Sequence, residues 1–156
     1  CQRRKMVHFN VTEHPTAEWV VQHLKNAFPF DSAPKYLIFD RDSIFSARVK
    51  NFIKNMGIKP KVISYKCPWQ NGVAERFVLS VRNDMLNQMI IFNEEQFRDF
   101  MKQYFEYYNN ERCHLAVGRD SPNGRKIQNK PFKSAKIISS PRIGGLHHLY
   151  KWDKAA

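Results

Sequence analysis

Cysteine pairs and long apolar runs are both missing from this chain of 156 residues, and each absence excludes a class of protein. The three cysteines, Cys1, Cys67 and Cys113, are odd in number and widely separated, so neither a disulfide framework nor a zinc site is expected. No run approaches the roughly 18 apolar residues of a membrane span, and the charged N-terminus lacks the apolar stretch of a signal peptide. We therefore expect reduced thiols inside a cell and no membrane partner.

Acidic residues are also scarce, with 14 Asp and Glu against 26 Lys and Arg, which leaves a net charge of +12. Cationic side chains that neutralise phosphates release condensed counterions, so the balance favours a polyanionic partner, with nucleic acid as the leading candidate. A solvated basic surface is the alternative, and charge does not distinguish DNA from RNA. The length is typical of one domain with a real core.

Strands and helices alternate along the chain, which predicts an α/β fold with parallel pairing. The predicted elements are a half-buried strand over residues 5–11, a helix over 15–27, a buried strand over 35–39, a helix over 47–56 ended by Gly57, a strand over 61–64, a helix from Gly72 and a helix over 94–110 capped by Asn93. The helix from Gly72 is expected to pack through Val73, Phe77, Val81 and Met85. The aromatic stripe of the last helix is interpreted as core.

The C-terminal part of the chain is strongly basic. From residue 112 onward the only acidic residues are Asp120 and Asp153, whereas ten residues are basic. The basic residues are Arg112, Arg119, Arg125, Lys126, Lys130, Lys133, Lys136, Arg142, Lys151 and Lys154. We expect this segment to lie against phosphate if the protein binds DNA. A small hairpin is predicted near the C-terminus. Its two strands would contain residues 137–138 and 146–152, and its turn would lie over residues 141–145. Because neighbouring side chains on a strand point to opposite faces, His147 and His148 are not expected to share a metal ion.

Two carboxylates stand where rigid elements would hold them. Asp40 ends the apolar run of residues 36–39, and Glu75 comes 35 positions later, within PWQNGVAERF at residues 68–77. A divalent cation needs oxygen ligands that are held firmly, as at a strand end or in the first turns of a helix. Glu75 faces away from the apolar stripe, and Arg82 lies two turns further along the same face. The alternative is that both are solvated helix residues.

At these residues the sequence resembles the catalytic core of retroviral-type integrases and bacterial insertion-sequence transposases, which carry an Asp-Asp-Glu site on an RNase H-like fold. FDRDSIF at residues 39–45 is similar to the second-aspartate motif, and residues 68–76 are close to the P-x-x-N-G-x-x-E-R motif of the glutamate helix. YYNNERCH at residues 107–114 resembles the Y-N-x-x-R-x-H segment of many bacterial members, and residues 141–148 are similar to a C-terminal segment of one subgroup. The resemblance covers roughly residues 4–122.

The resemblance implies DNA integration by phosphoryl transfer with two divalent ions, Mg²⁺ or Mn²⁺. It makes Asp40 and Glu75 the catalytic residues and metal ligands, with Asp42 as the alternative ligand. The candidates for DNA contact are Lys66, Gln70, Asn71, Arg76 and Arg82. Arg76 can instead hold an internal carboxylate. Assembly as a homo-oligomer on DNA ends, in a bacterial cytoplasm and close to the nucleoid, is also implied.

The family's first catalytic aspartate has no counterpart in this sequence. Glu13, Glu18 and Asp31 are the only acids before Asp40, and none lies at the centre of an apolar strand. We therefore expect a truncated RNase H-like integrase core over residues 1–112, without its first strand or strands, and a basic extension over residues 113–156. Such a fragment is expected to be inactive alone. The alternative function is a non-catalytic, nucleic-acid-binding remnant of a transposase.

Overall fold

The computed structural model describes residues 4–153 and has mixed α/β structure, which confirms the predicted class. In that range the helices are α1 (Ala17–Ala27), α2 (Ala47–Asn55), α3 (Gly72–Asp84) and α4 (Glu94–Asn110), and the strands are β1 (Tyr36–Phe39), β2 (Lys59–Val62), β3 (Ile137–Arg142) and β4 (His147–Trp152). Cys1 and Lys154, named among the thiols and the basic residues, lie outside the described residues. No helix in the described range is long and apolar enough to cross a membrane.

The chain forms two compact units. The first comprises residues 7–80, and the second comprises residues 81–153 together with residues 4–6. The first unit contains α1, β1, α2 and β2, whereas the second contains α4, β3 and β4. Helix α3 begins in the first unit and ends in the second. The predicted boundary after residue 112 stays a prediction.

A small apolar core holds the first unit together. Phe39, Val49, Ile53 and Ile58 are at most 4% exposed, and Val20, Val21 and Leu24 of α1 are among the half-buried residues that pack against them. Burying one such side chain contributes roughly 1.5–3 kcal/mol. Because Phe39 is the last residue of β1, this packing holds the backbone immediately before Asp40.

Local signals set the helix ends, as predicted for Asn93 and Gly57, whereas Thr16, predicted inside the first helix, is its N-cap. The Thr16 hydroxyl accepts a hydrogen bond from Trp19 N at 3.1 Å, and the Asn93 side chain accepts one from Gln96 N at 2.8 Å. Such caps satisfy backbone donors that have no partner inside the helix. Just after α2, Gly57 has φ +75°, a left-handed conformation that costs glycine little.

Strands β1 and β2 pair in parallel, with Tyr36 opposite Lys59 and Phe39 opposite Val62, which confirms the predicted parallel pairing. Two details differ from the prediction. β2 covers residues 59–62 rather than 61–64, and β1 is buried on one face only, since Ile38 is 48% exposed. An apolar run indicates a strand but does not reveal whether both of its faces are covered.

Residues 5–11 form no strand, so that prediction was wrong. In the described part of the chain they belong to neither sheet. The His8 ring and the Asn10 amide instead hydrogen-bond to the two ring nitrogens of His23 on α1, at 2.9 and 2.8 Å. Alternating apolar residues indicate which side chains prefer burial, whereas a strand also requires the backbone groups of a neighbour.

In the second unit, α4 provides much of the core. Met101, Tyr104 and Tyr108 are at most 8% exposed, which confirms that the aromatic stripe of this helix packs inside. β3 and β4 form the predicted antiparallel hairpin, in which Ile137 is opposite Trp152 and Arg142 is opposite His147. The hairpin turns through residues 143–145, with Ile143 only 2% exposed.

The predicted apolar stripe of α3 is only partly correct. Val81 and Met85 are buried, but Val73 in the first turn is 61% exposed and Phe77 is half-buried. A periodic stripe identifies one face along the whole helix, but only the part that another element covers becomes buried. The first turn of α3 therefore presents Val73 and Glu75 to solvent.

Candidate functional site

Asp40 lies at the edge of the sheet where both parallel strands end. It directly follows β1, and the chain that leaves β2 begins beside it, because Ile63 N donates to Phe39 O at 3.1 Å. Arg41 Nε donates to Ile63 O at 3.1 Å and joins the two segments a second time. The carboxyl ends of parallel strands are the usual location of ligand sites in open α/β sheets. The segment that leads to Glu75 therefore starts next to Asp40.

A short hydrogen-bonded turn connects β2 to α3. The Gln70 side chain accepts from Ser64 N at 2.7 Å and donates to Ser64 Oγ at 3.3 Å, and Cys67 N donates to Ser64 O at 3.2 Å. The 3₁₀ turn Pro68–Asn71 then leads directly into α3. Gln70 thus holds the connection to the glutamate helix, while its contact with DNA stays a prediction.

Glu75 lies in the first turn of α3 and is exposed. A carboxylate is favoured there because the positive end of the helix dipole and the unpaired backbone N–H groups are close. Among the described residues, no hydrogen-bond donor is paired with the Glu75 carboxylate. The side chain is therefore open to a ligand from solvent.

Asp40 and Asp42 differ in how their oxygens are used. Asp40 is exposed, and its Oδ1 accepts from Asp42 N at 3.1 Å. Asp42 Oδ1 accepts from Ile44 N at 2.9 Å, and Asp42 O accepts from Phe45 N at 3.1 Å, so Asp42 shapes the turn before α2. Asp40 directly continues the strand, whereas Asp42 lies within this turn. The choice of Asp40 over Asp42 as a metal ligand stays a prediction.

The two carboxylates fit a hard divalent cation in the type of donor that they offer. Mg²⁺ is typically bound by one or two carboxylates and completes its shell with waters and phosphate oxygens. Over residues 4–153, however, no three His, Cys, Asp or Glu side chains come together in a group that could hold a metal ion.

The cations predicted to contact DNA are all exposed. Lys66 has a left-handed φ of +56°, and its ammonium group lies 5.4 Å from the centre of the Tyr65 ring. Arg76 and Arg82 are exposed, and neither forms an ion pair among the described residues, so the alternative of an internal partner for Arg76 is not what the structure shows. Arg82 lies in the second unit, seven residues along α3 from Glu75. Asn71 is half-buried.

Two aromatic residues beside these cations were missed in the sequence. Tyr65 and Trp69 are each 72% exposed in the connection between β2 and α3. Large aromatic side chains usually bury most of their surface, so exposed ones near a polar site indicate a contact surface. The signal in the sequence was their location in a loop that is otherwise polar.

Three of the basic residues in the C-terminal segment have internal partners. Arg125 pairs with Asp120 at 2.9 Å, and Arg142 pairs with Glu111 at 2.8 Å. Arg112 pairs with Asp84 at 2.6 Å. These three guanidinium groups therefore stabilise the second unit, and the contact of this segment with phosphate stays a prediction.

The pairing of Arg112 with Asp84 shows what the segment at residues 107–114 does. Asp84 is the last residue of α3, and its carboxylate also accepts from the Tyr104 hydroxyl at 2.9 Å. Burial and the nearby Asp84 carboxylate raise the pKa of Tyr104. Burial opposes the charge of Arg112, but the hydrogen bond and charge of Asp84 outweigh it and raise the pKa of Arg112. This network anchors the end of the helix that carries Glu75.

Two histidines complete the surroundings of Asp84. The His114 ring is 7% exposed and lies 3.3 Å from Tyr108 O, and burial lowers its pKa. The His147 ring stacks on Tyr107 and hydrogen-bonds to Asp84 O at 2.8 Å, whereas His148 is exposed. The two adjacent histidines thus have different surroundings, as predicted.

Comparison with known proteins finds a family model that matches part of this chain. Residues 56–122 match the family described as Integrase core domain. This range includes Glu75 and the predicted DNA contacts, whereas Asp40 precedes it. The resemblance inferred from the motifs is confirmed for this part of the chain.

Several transposases of Escherichia coli are similar to part of this chain. Transposase InsD for insertion element IS2A/D/F/H/I/K is 29% identical over 92 residues, which is 58% of this chain and 31% of that protein. Transposase InsD for insertion element IS2 on F plasmid matches to the same extent. Across these relatives the match covers between 30% and 42% of their length, so this chain spans less than half of the curated proteins that it matches.

Proposed function

We propose that this chain is part of a DNA transposase, in which Asp40 and Glu75 are two carboxylates of a divalent-metal site. One observation carries the proposal: Asp40 and the connection to Glu75 leave the same edge of a parallel sheet, within a chain whose residues 56–122 match an integrase core domain. The names of the relatives, which are transposases for insertion elements, support transposition as the process.

We further propose an RNase H-like fold and a division of the chain into a catalytic core and a basic extension. An integrase core implies an RNase H-like sheet, of which β1 and β2 are two parallel strands. We assign residues 1–112 to the catalytic core and residues 113–156 to a basic extension. The net charge of +12 supports DNA as the partner, and assembly of several copies on DNA ends follows from the family.

In this proposal Asp40 and Glu75 hold Mg²⁺ or Mn²⁺, with Asp42 as the alternative to Asp40. The bound ions supply electrostatic stabilisation to a phosphodiester under attack by water or a DNA 3′-hydroxyl. The residues assigned to DNA are Lys66, Gln70, Asn71, Arg76 and Arg82, of which Arg76 directly follows Glu75 in the sequence.

A second candidate is a nucleic-acid-binding remnant without catalysis. It is favoured by one observation, namely that the described residues contain no group of three metal-ligating side chains. Both candidates predict that the 156 residues alone join no DNA ends. They differ for the complete reading frame that contains this chain, which joins DNA only if the first proposal is correct.

The test is Glu75→Gln in that complete reading frame, assayed for joining of labelled DNA ends in Mg²⁺. We expect joining to fall by at least about 100-fold, since even residues that merely support a metal ligand cost 10–100-fold. DNA affinity should change less than twofold, roughly the precision of the measurement, because Glu75 contacts the metal and not the phosphate directly.

Glu95→Gln is the matched control, because Glu95 is an exposed glutamate in the first turn of another helix, α4. It should leave both joining and affinity unchanged. If Glu75→Gln joins DNA as well as Glu95→Gln does, the assignment of Glu75 is wrong. A complete reading frame that binds DNA but never joins it supports the remnant instead.

A further inference from the structure

A groove of about 750 Å³ crosses the second unit. The loop that follows α4 forms one wall, with residues 118–120 and 124–128, and the edge of β4 forms the other, with residues 149–152. In the described part of the chain β4 pairs only with β3, so this edge of the hairpin is open. The volume is in the range of clefts that hold ligands.

The loop wall is held by one carboxylate. Asp120 accepts from Ser121 N at 2.7 Å, from Arg125 N at 3.2 Å and from Arg125 Nε at 2.9 Å. Asp120 O also accepts from His114 N at 2.9 Å, which closes the base of the loop. Arg119 has φ +65° next to Gly118 at +69°, a bend that these bonds maintain. The wall is therefore preformed.

The charge of the groove is positive once its internal pairs are removed. Of its acids, Asp120 is neutralised by Arg125 and Glu111 by Arg142. The cations that remain in the lining are Arg119, Lys126 and Lys151, and all three are exposed. Over residues 4–153, no carboxylate lies within ion-pair distance of these three. They are positioned to meet an anion.

The β4 wall adds an aromatic surface. Trp152 is already occupied, because its indole N–H donates to Gln128 O at 3.2 Å and the Lys130 ammonium lies 5.5 Å from its ring centre. Tyr150 is two residues away on the same strand and is 65% exposed. An exposed tyrosine ring in a groove that is also lined by cations is suited to stack on an unpaired base.

We propose that this groove binds a single-stranded segment of DNA, with phosphates on Arg119, Lys126 and Lys151 and one base on Tyr150. The choice of DNA over RNA rests on the proposed function, but neither Asp40 nor Glu75 lines the groove. An acidic peptide paired along β4 is the competing occupant. DNA is favoured because the groove combines three unpaired cations with an exposed ring, whereas a peptide strand needs mainly backbone partners.

The first experiment measures the salt dependence of binding to a fluorescein-labelled oligothymidylate of about 12 nucleotides, by anisotropy. Each phosphate contact to a single strand contributes about 0.7 to the slope of log K against log salt. Lys126→Gln combined with Lys151→Gln should therefore reduce the slope by about 1.4. Lys133→Gln with Lys136→Gln is the matched control, since both are exposed lysines of the same segment that do not line the groove.

The second experiment replaces the stacking residue. Tyr150→Ala should weaken binding by on the order of tenfold, as expected for the loss of one base–aromatic stack. Tyr150→Phe keeps the ring and should bind like the original protein. Circular dichroism of each variant tests for folding, and the exposure of all the replaced side chains favours unchanged spectra.

Several results would overturn the proposal. The first is a slope for the groove variant that equals that of the control. A second is a Tyr150→Ala variant that binds the oligothymidylate as tightly as Tyr150→Phe does. A third is a protein that binds polyglutamate but does not bind the oligothymidylate. Oligothymidylate binding is measured without any joining of DNA ends, so a failure of the groove and a failure of the proposed catalysis are seen separately.

Discussion

Replacing Arg112 with methionine tests the network at the end of α3. The Arg112 guanidinium donates to Asp84 from Nε at 2.6 Å, and the two side chains are only 25% and 18% exposed. Methionine keeps most of the length and apolar contact of arginine but removes its charge and its donors. Asp84 then retains the Tyr104 hydroxyl as a donor and remains mostly out of water.

The expected loss follows from this partial burial. A hydrogen bond to a charged group contributes about 1.5–3 kcal/mol, and removing one partner of a fully buried pair costs about 3–5 kcal/mol. Because about a fifth of each side chain still meets water, we expect a loss of about 2–3 kcal/mol in the free energy of unfolding of the second unit. Urea unfolding, followed by far-ultraviolet circular dichroism, measures this as a shift of midpoint at constant slope.

Arg98→Met is the control, since Arg98 forms an exposed pair with Glu94 on the surface of α4. Exposed pairs contribute about 0.3–0.5 kcal/mol at this spacing. If Arg112→Met is no more destabilising than Arg98→Met, the reasoning is refuted. A double-mutant cycle with Asp84→Asn adds a second criterion, because a coupling energy near zero would show that the two side chains act independently.

Two further predictions concern buried polar groups of the second unit. Burial lowers the pKa of His114, so the unfolded state binds a proton at this histidine more tightly than the folded state does. The contribution of the neutral His114 ring to stability is therefore fully present above the ordinary histidine pKa of about 6.5. This contribution falls as the pH drops below that value. His114→Gln should flatten this dependence between pH 7 and 5 in urea titrations, and an unchanged dependence would assign it to another group. Asn109, 2% exposed, accepts from Met6 N at 2.9 Å and donates to Met6 O at 3.0 Å. Asn109→Ala should reduce stability by about 1–3 kcal/mol and speed hydrogen exchange at the Met6 amide, whereas exchange at the original rate would show that another contact protects it.

The candidate site was predictable from the sequence only in its parts. Asp40 at the end of a strand and Glu75 in the first turn of a helix follow from apolar runs and a motif, and both lie in those places. Their relation depends on the parallel pairing of β1 with β2 and on the clamp between Gln70 and Ser64. Such contacts are set by packing, which no single segment encodes.

The sequence by itself determined the local elements of this protein, because their signals are short-range. Thr16 and Asn93 cap the helices that follow them, and Gly57 permits the left-handed turn after α2, within a few residues of each signal.

Only the tertiary structure decided which side chains are buried and which charged groups are paired inside the protein. Val73 belongs to an apolar stripe yet remains exposed, and residues 5–11 alternate like a strand yet join no sheet. Arg112 belongs to the basic segment in the sequence, but in the fold it pairs with Asp84, 28 residues earlier in the chain. Burial, pairing and neutralisation each need a partner, and a partner distant in sequence becomes a neighbour only when the chain has folded.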